Sequence, residues 1–176
     1  MTDAELARLI REHAYLEGDF VLRSGRRSRF YLDKYRFETE PSLLRALGER
    51  IAARAAEAAP GAVRLAGPEL GAVALTAAAS LASGLPFLIV RNTGKEYGTA
   101  RRVEGEYTAG EEVCLVEDVV TSGGAAVTAV EALRAEGLEC RTAVCVVDRE
   151  EGGAASLADH AVRLVPIFRA QDVLEA

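Results

Sequence analysis

Glu117 and Asp118 stand side by side, and three residues on come Thr121, Ser122, Gly123 and Gly124, two hydroxyls followed by two glycines. Hydroxyls and backbone N–H groups that no bulky side chain shields suit an anion such as a phosphate. Two adjacent carboxylates repel a phosphate and instead accept hydrogen bonds from hydroxyl groups or attract a hydrated divalent cation. A sugar phosphate satisfies both halves. A helix cap alone would use one acid or one hydroxyl, so two of each beside two glycines argue for a ligand site.

The elements that must hold these groups are legible on either side. Val113 to Val116 is an unbroken apolar run, which fits a strand buried on both faces of a parallel sheet. From Ala125 to Ala135, Val127, Val130 and Leu133 recur at helical spacing. The loop therefore delivers the chain to a helix N-terminus, where the dipole favours an anion.

In this order, Val113 to Ala125 (VCLVEDVVTSGGA) resembles the signature of the type I phosphoribosyltransferases, which bind phosphoribosyl pyrophosphate. The resemblance implies that Glu117, Asp118, Val119, Val120, Thr121, Ser122, Gly123, Gly124 and Ala125 line that substrate's site. No Gly-Lys-Ser/Thr follows and no GxGxxG follows an expected strand, so nucleoside triphosphate and dinucleotide readings lack their motif.

Composition sets the frame. The chain has 176 residues, the size of one domain, with 49% hydrophobic and 27% charged residues and no apolar run long enough to span a membrane. The opening residues mix acids and bases without an apolar core, so no signal peptide is expected and the reading is cytoplasmic. Cys114, Cys140 and Cys145 lie in apolar runs without metal-binding spacing and read as buried reduced thiols. With 21 basic and 27 acidic residues the net charge is −6, which argues against broad nucleic-acid binding but leaves room for local basic patches.

Taken in order, Asp3 to Leu16 reads as a helix capped by Thr2 or Asp3. Asp19–Arg23 and Ser28–Asp33 read as a hairpin around the basic turn at Ser24 to Arg27. Pro41 to Ala58 is a second helix. Val63 to Ala66 is a strand whose glycine-flanked exit, Gly67-Pro68-Glu69-Leu70-Gly71, leads into a helix from Ala72 to Ser83. Pro86 to Val90 is another strand, followed by the polar stretch Arg91 to Thr99 and an acidic turn at Glu104 to Glu106. Leu138 to Val147 and Val162 to Pro166 are further strands, and Arg169 to Leu174 a short closing helix. Strands alternating with helices indicate one α/β domain with a mainly parallel sheet flanked by helices, and a small N-terminal hood over about residues 1–37.

A finer resemblance lies in the hood. FVLRSGRRSRFYLD, from Phe20 to Asp33, is similar to the corresponding segment of the orotate phosphoribosyltransferases. It implies that Arg23 contacts phosphoribosyl pyrophosphate and that Tyr31 and Leu32 pack over the base. By the same resemblance Glu69 and Leu70 belong to a pyrophosphate loop, and Arg91, Asn92, Lys95 and Tyr97 to a catalytic loop that closes over the dimer partner's site. Lys95 is the catalytic cation, beside Glu117 and Asp118. Arg149 pairs with the orotate carboxylate, with Thr121 also at the base. Arg23, Leu70 and Asn92 stand where lysines are usual, and Arg29 where a proline is common.

The resemblance implies transfer of the phosphoribosyl group to orotate in a homodimer. Mg²⁺ would come with the substrate near Asp118, and no side chain is assigned as its direct ligand. Two rivals stand beside this reading. One is a type I enzyme for another base, against which Arg149 speaks because purines lack a carboxylate. The other is a regulator that senses phosphoribosyl pyrophosphate, against which an acidic pI near 5.1 speaks.

Overall fold

The computed structural model describes residues 1–21, 27–92 and 102–176. Helix α1 (Asp3–Ala14) opens with a capping box in which Thr2 and Glu5 satisfy each other's backbone N–H groups. It passes directly into β1 (Tyr15–Val21), which pairs antiparallel with β2 (Arg27–Leu32) as a separate two-stranded sheet. The helix thus stops two residues short of its expected end and the strand starts four residues early, because Tyr15 takes up extended backbone with no glycine to mark the change.

A five-residue helix, α2 (Lys34–Glu38), then leads into α3 (Pro41–Ala58), which starts on its proline as expected. Next come β3 (Arg64–Pro68), α4 (Gly71–Ser83), β4 (Phe87–Val90), β5 (Val103–Glu104), β6 (Glu112–Val120) and α5 (Gly124–Ala135). The chain closes with β7 (Glu139–Asp148), α6 (Gly153–Asp159), β8 (Arg163–Arg169) and α7 (Ala170–Leu174). The main sheet has the order β5-β4-β3-β6-β7-β8 and is parallel except where β5 runs antiparallel to β4.

Helices cover both faces of this sheet, which is why β6 and β7 read as continuous apolar runs. On one face Cys114 and Val116 pack with α1, α3 and α4 through Leu6, Ile10, Leu47, Ile51 and Leu75. On the other, Val113 and Leu115 pack with α5 and α6 through Val130, Leu133 and Leu157. The three cysteines are buried and free. Burial pushes their thiols up, to about 12 for Cys114 and about 11 for Cys140, so they are inert packing groups. No described helix is long and apolar enough to cross a membrane.

Candidate active site

The strand order reverses between β3 and β6, since β3 leads outward through α4 to β4 and β6 leads the other way through α5 to β7. In open α/β sheets ligands bind in the crevice outside the carboxyl ends of the strands at this switch. Here those two ends carry the Glu69 to Gly71 loop and the acids with the hydroxyl–glycine loop.

Strand β6 runs further than its apolar stretch, so Glu117, Asp118, Val119 and Val120 lie within the strand's last turns of pleat and only Thr121 to Gly123 form the loop. The acids are fixed by sheet pairing, with Glu117 opposite Cys145 and Val120 opposite Asp148. Gly123 sits at φ +83° as the residue before α5, a conformation that side-chain-bearing residues rarely take. Thr121, Ser122, Gly124 and Ala125 are exposed around it, so their hydroxyls and backbone groups are open at the start of a twelve-residue helix.

Both acids are buried, Glu117 to 6% exposure and Asp118 to 3%. Asp118 Oδ1 accepts from the Val119 amide and Oδ2 from the Lys34 ammonium of α2, each at 2.5 Å. Burial works against the Lys34 charge, but Asp118 beside it holds the ammonium above its ordinary value. Glu117 is pushed up to about 8, by burial first and by the Asp118 charge second. Its Oε1 is buried and has no hydrogen-bond partner among the described residues, which accords with burial holding the proton on this carboxyl. Glu38, also on α2 and 2% exposed, is pushed up to about 8 by burial and then by Asp118. Lys34 and Glu38 therefore adjoin the acid pair, and no local sequence pattern marks them.

At the β3 exit, Glu69 and Asn92 meet. The Asn92 amide donates to Glu69 Oε1 at 2.8 Å, and its side-chain nitrogen to the Glu69 carbonyl at 3.3 Å. Asn92 thus ties the end of β4 to the β3 loop through two donated hydrogen bonds, one from its backbone and one from its side chain. Leu70 is 72% exposed with its neighbour Gly71 starting α4. Arg91 pairs with Glu104 at 3.6 Å and exchanges bonds with Arg102: its amide donates to the Arg102 carbonyl, and Arg102 Nε donates back to the Arg91 carbonyl. Arg23, Lys95 and Tyr97 lie outside the described residues.

Arg149 follows the last residue of β7 and pairs with Glu151 at 2.9 Å. Together with Leu32 of the hairpin, and with Val147, Ala170, Val173 and Leu174, it lines a cavity of about 240 Å³. Two of the residues expected at the base therefore share one pocket. Tyr31 does not join them, because alternation along β2 turns it the other way, where its ring meets Phe20 at 5.6 Å between centroids.

Residues 37–168 match the model of the phosphoribosyl transferase domain. Over 98% of its length the chain is 44% identical to the orotate phosphoribosyltransferase of Methanocella arvoryzae, covering 97% of that protein. It is 45% identical over 99% of its length to the enzyme of Halobacterium salinarum, covering 98% of it. The chain belongs to the orotate phosphoribosyltransferase family. The solved structures agree: the family's enzyme from Mycobacterium tuberculosis is 31% identical with a TM-score of 0.85, covering 97% of this chain and 98% of that one. The enzyme from Aeropyrum pernix, at 33% identity, has the same score and covers 97% and 96%. A further Mycobacterium tuberculosis structure of the family holds 5-phospho-α-D-ribosyl 1-diphosphate, at 29% identity and a TM-score of 0.80 over 97% of this chain and 98% of that one.

Proposed function

We propose that the chain transfers the 5-phosphoribosyl group from phosphoribosyl pyrophosphate to orotate, giving orotidine 5′-phosphate and pyrophosphate. The observation that carries this is the gathering of two glycine-bearing strand ends and a buried acid pair at one switch point, in a chain of orotate-family sequence throughout. In this reading the Thr121 to Ala125 loop holds the 5′-phosphate, and Glu117 and Asp118 accept from the ribose hydroxyls. Glu69, Leu70, Arg91 and Asn92 border the pyrophosphate. Arg149 receives the orotate carboxylate, with Leu32 on the apolar wall of the same cavity.

Breaking the bond from C1 of ribose to pyrophosphate leaves positive charge on the sugar and negative charge on the departing group. The acid pair anchors the sugar while its ring flattens. Asp118 carries its charge opposite Lys34, and a carboxyl at Glu117 that is half protonated near pH 8 can give or accept a hydrogen bond from a hydroxyl. Lys95 and Arg23, which belong to this reading through the family resemblance, supply cations for the pyrophosphate. Loop closure over the partner's site in a homodimer would exclude water from the reactive sugar.

Mg²⁺ fits as an ion that arrives with the substrate. Both Asp118 oxygens already have partners, and no group of three acidic, His or Cys side chains stands ready to hold a metal among the described residues. Mg²⁺ keeps much of its water and binds phosphate oxygens well. When bound it would neutralise charge on the leaving pyrophosphate. A substrate of this kind and three buried, unoxidised thiols suit a cytoplasmic enzyme.

The test is product formation. Incubation with phosphoribosyl pyrophosphate, Mg²⁺ and orotate should release pyrophosphate and consume orotate in equal amounts. Pyrophosphate release with a purine but none with orotate would contradict the assignment.

A further inference from the structure

Lys34 and Glu38 lie one turn apart on α2, and both face the Asp118 carboxylate. α2 belongs to neither of the two strand-end loops; it is the short connection between the hairpin and α3. Asp118 therefore has its own strand on one side and this helix on the other. A third element leaves room for the pair. A Cβ at Gly71, the first residue of α4, would collide with Asp118 Oδ2 and lie 2.9 Å from the Lys34 nitrogen. Gly71 has no left-handed backbone to explain it, so what glycine provides at this position is space.

The charge balance needs that cation. Glu117 and Glu38, both pushed up to about 8, keep their protons at neutral pH, so Asp118 carries the buried charge of the cluster and needs a counter-charge. Lys34 supplies it from the side. An ion pair kept only for stability is a weak device when buried, since desolvation offsets most of the attraction. Its placement on the acid that meets the sugar gives it a function instead.

We propose that Lys34, beside the gap that Gly71 leaves for Asp118 Oδ2, is a positioning residue that orients and neutralises Asp118 for the ribose hydroxyls, with Glu38 as a second prong from the same helix. This rests on the reading of Asp118 as a ribose ligand. The hood-side helix α2 thereby contributes a side chain to the sugar site.

The experiment compares Lys34→Met, Lys34→Arg and Gly71→Ala with Asp118→Asn, measuring kcat, the KM of each substrate and phosphoribosyl pyrophosphate binding by calorimetry with Mg²⁺. Lys34→Met should lower kcat/KM for phosphoribosyl pyrophosphate by about tenfold or more and leave the KM for orotate unchanged. Lys34→Arg, which keeps the charge, should recover part of that loss. Gly71→Ala leaves every charge in place but drives a methyl group into Asp118 Oδ2, so it should lower kcat/KM for phosphoribosyl pyrophosphate as well, and Lys34→Gln carries the test if Lys34→Met does not fold. Wild-type kinetics in Lys34→Met or Lys34→Gln, beside an inactive Asp118→Asn, would overturn the proposal alone, whatever Gly71→Ala does. Full activity in Asp118→Asn would instead remove the reading of Asp118 on which it rests.

Discussion

The backbone amide of Arg149 donates to the carbonyl of Val120 at 2.9 Å, so the strand end that bears Arg149 is joined to the residue just before the Thr121 to Gly123 loop. Register pairing of Val120 with Asp148 fixes the same relationship through the sheet. In the proposed reading, sugar phosphate and base would therefore be received on adjoining strand ends, with their spacing set by backbone rather than by side-chain rotamers. Arg149→Gln should consequently lower kcat/KM for orotate by about a hundredfold or more, because the planar fork that matches a carboxylate is lost, while phosphoribosyl pyrophosphate still binds. Calorimetry with each substrate separates the two effects, and equal loss of both affinities would contradict the assignment.

Gly123→Val tests the phosphate loop. At φ +83° the backbone disfavours any side chain, and even a Cβ would lie 3.0 Å from the Gly153 carbonyl oxygen. The strain, of order 1–3 kcal/mol, falls on one buried residue whose neighbours in the turn are exposed, and the fold should persist by circular dichroism. Affinity for phosphoribosyl pyrophosphate should fall below detection. Unchanged affinity would remove the loop from the site.

Stability should fall as pH rises from about 4.5 to about 8. Glu38 and Glu117, ordinarily near 4.5, are both pushed up to about 8, so across that interval the folded chain holds protons that the unfolded chain has released. Above pH 8 the penalty is fully developed and the slope levels off. Lys34 titrates above its ordinary value of 10.5 and contributes no slope in this window. In thermal melts from pH 5 to 8, Glu38→Gln should show a shallower decline than the unsubstituted chain; an identical slope would mean that Glu38 keeps an ordinary value.

What was legible in the sequence follows from locality. Glu117 to Ala125 and the Pro41 helix each carry their meaning within a dozen residues, and the structure sets them on elements the periodicity predicts, whereas Arg149 stands out only through the family resemblance and locally pairs with Glu151. The Lys34–Asp118 pair spans 84 positions, and no local pattern announces it. α2 has five residues, too few for a helical period to register, and β5 has two. Asn92 reads in sequence only as a missing lysine; its use as a clamp on Glu69 depends on β3 and β4 being neighbours. The family resemblance places Tyr31 and Leu32 together over the base, but neighbouring strand residues face opposite ways, and of the two only Leu32 lines the cavity with Arg149.

Lys95, outside the described residues, is the cation assigned to the leaving pyrophosphate by family resemblance. Lys95→Ala should depress kcat strongly and change substrate binding little, since the contact would matter most as charge develops. If the residue acts across a dimer, mixing Lys95→Ala subunits with Asp118→Asn subunits should restore about one working site per hybrid. Hybrids shown to form yet as inactive as their parents would place Lys95 in its own subunit's site or outside catalysis.

The central claim is that this site selects a carboxylated pyrimidine for phosphoribosyl transfer. It is tested most directly by kcat/KM for orotate, uracil and hypoxanthine, measured side by side with phosphoribosyl pyrophosphate and Mg²⁺. A site that pairs Arg149 with a carboxylate should prefer orotate by about a hundredfold or more, because uracil and hypoxanthine lack the group that matches the guanidinium fork. Uracil or hypoxanthine turned over as efficiently as orotate would contradict the account.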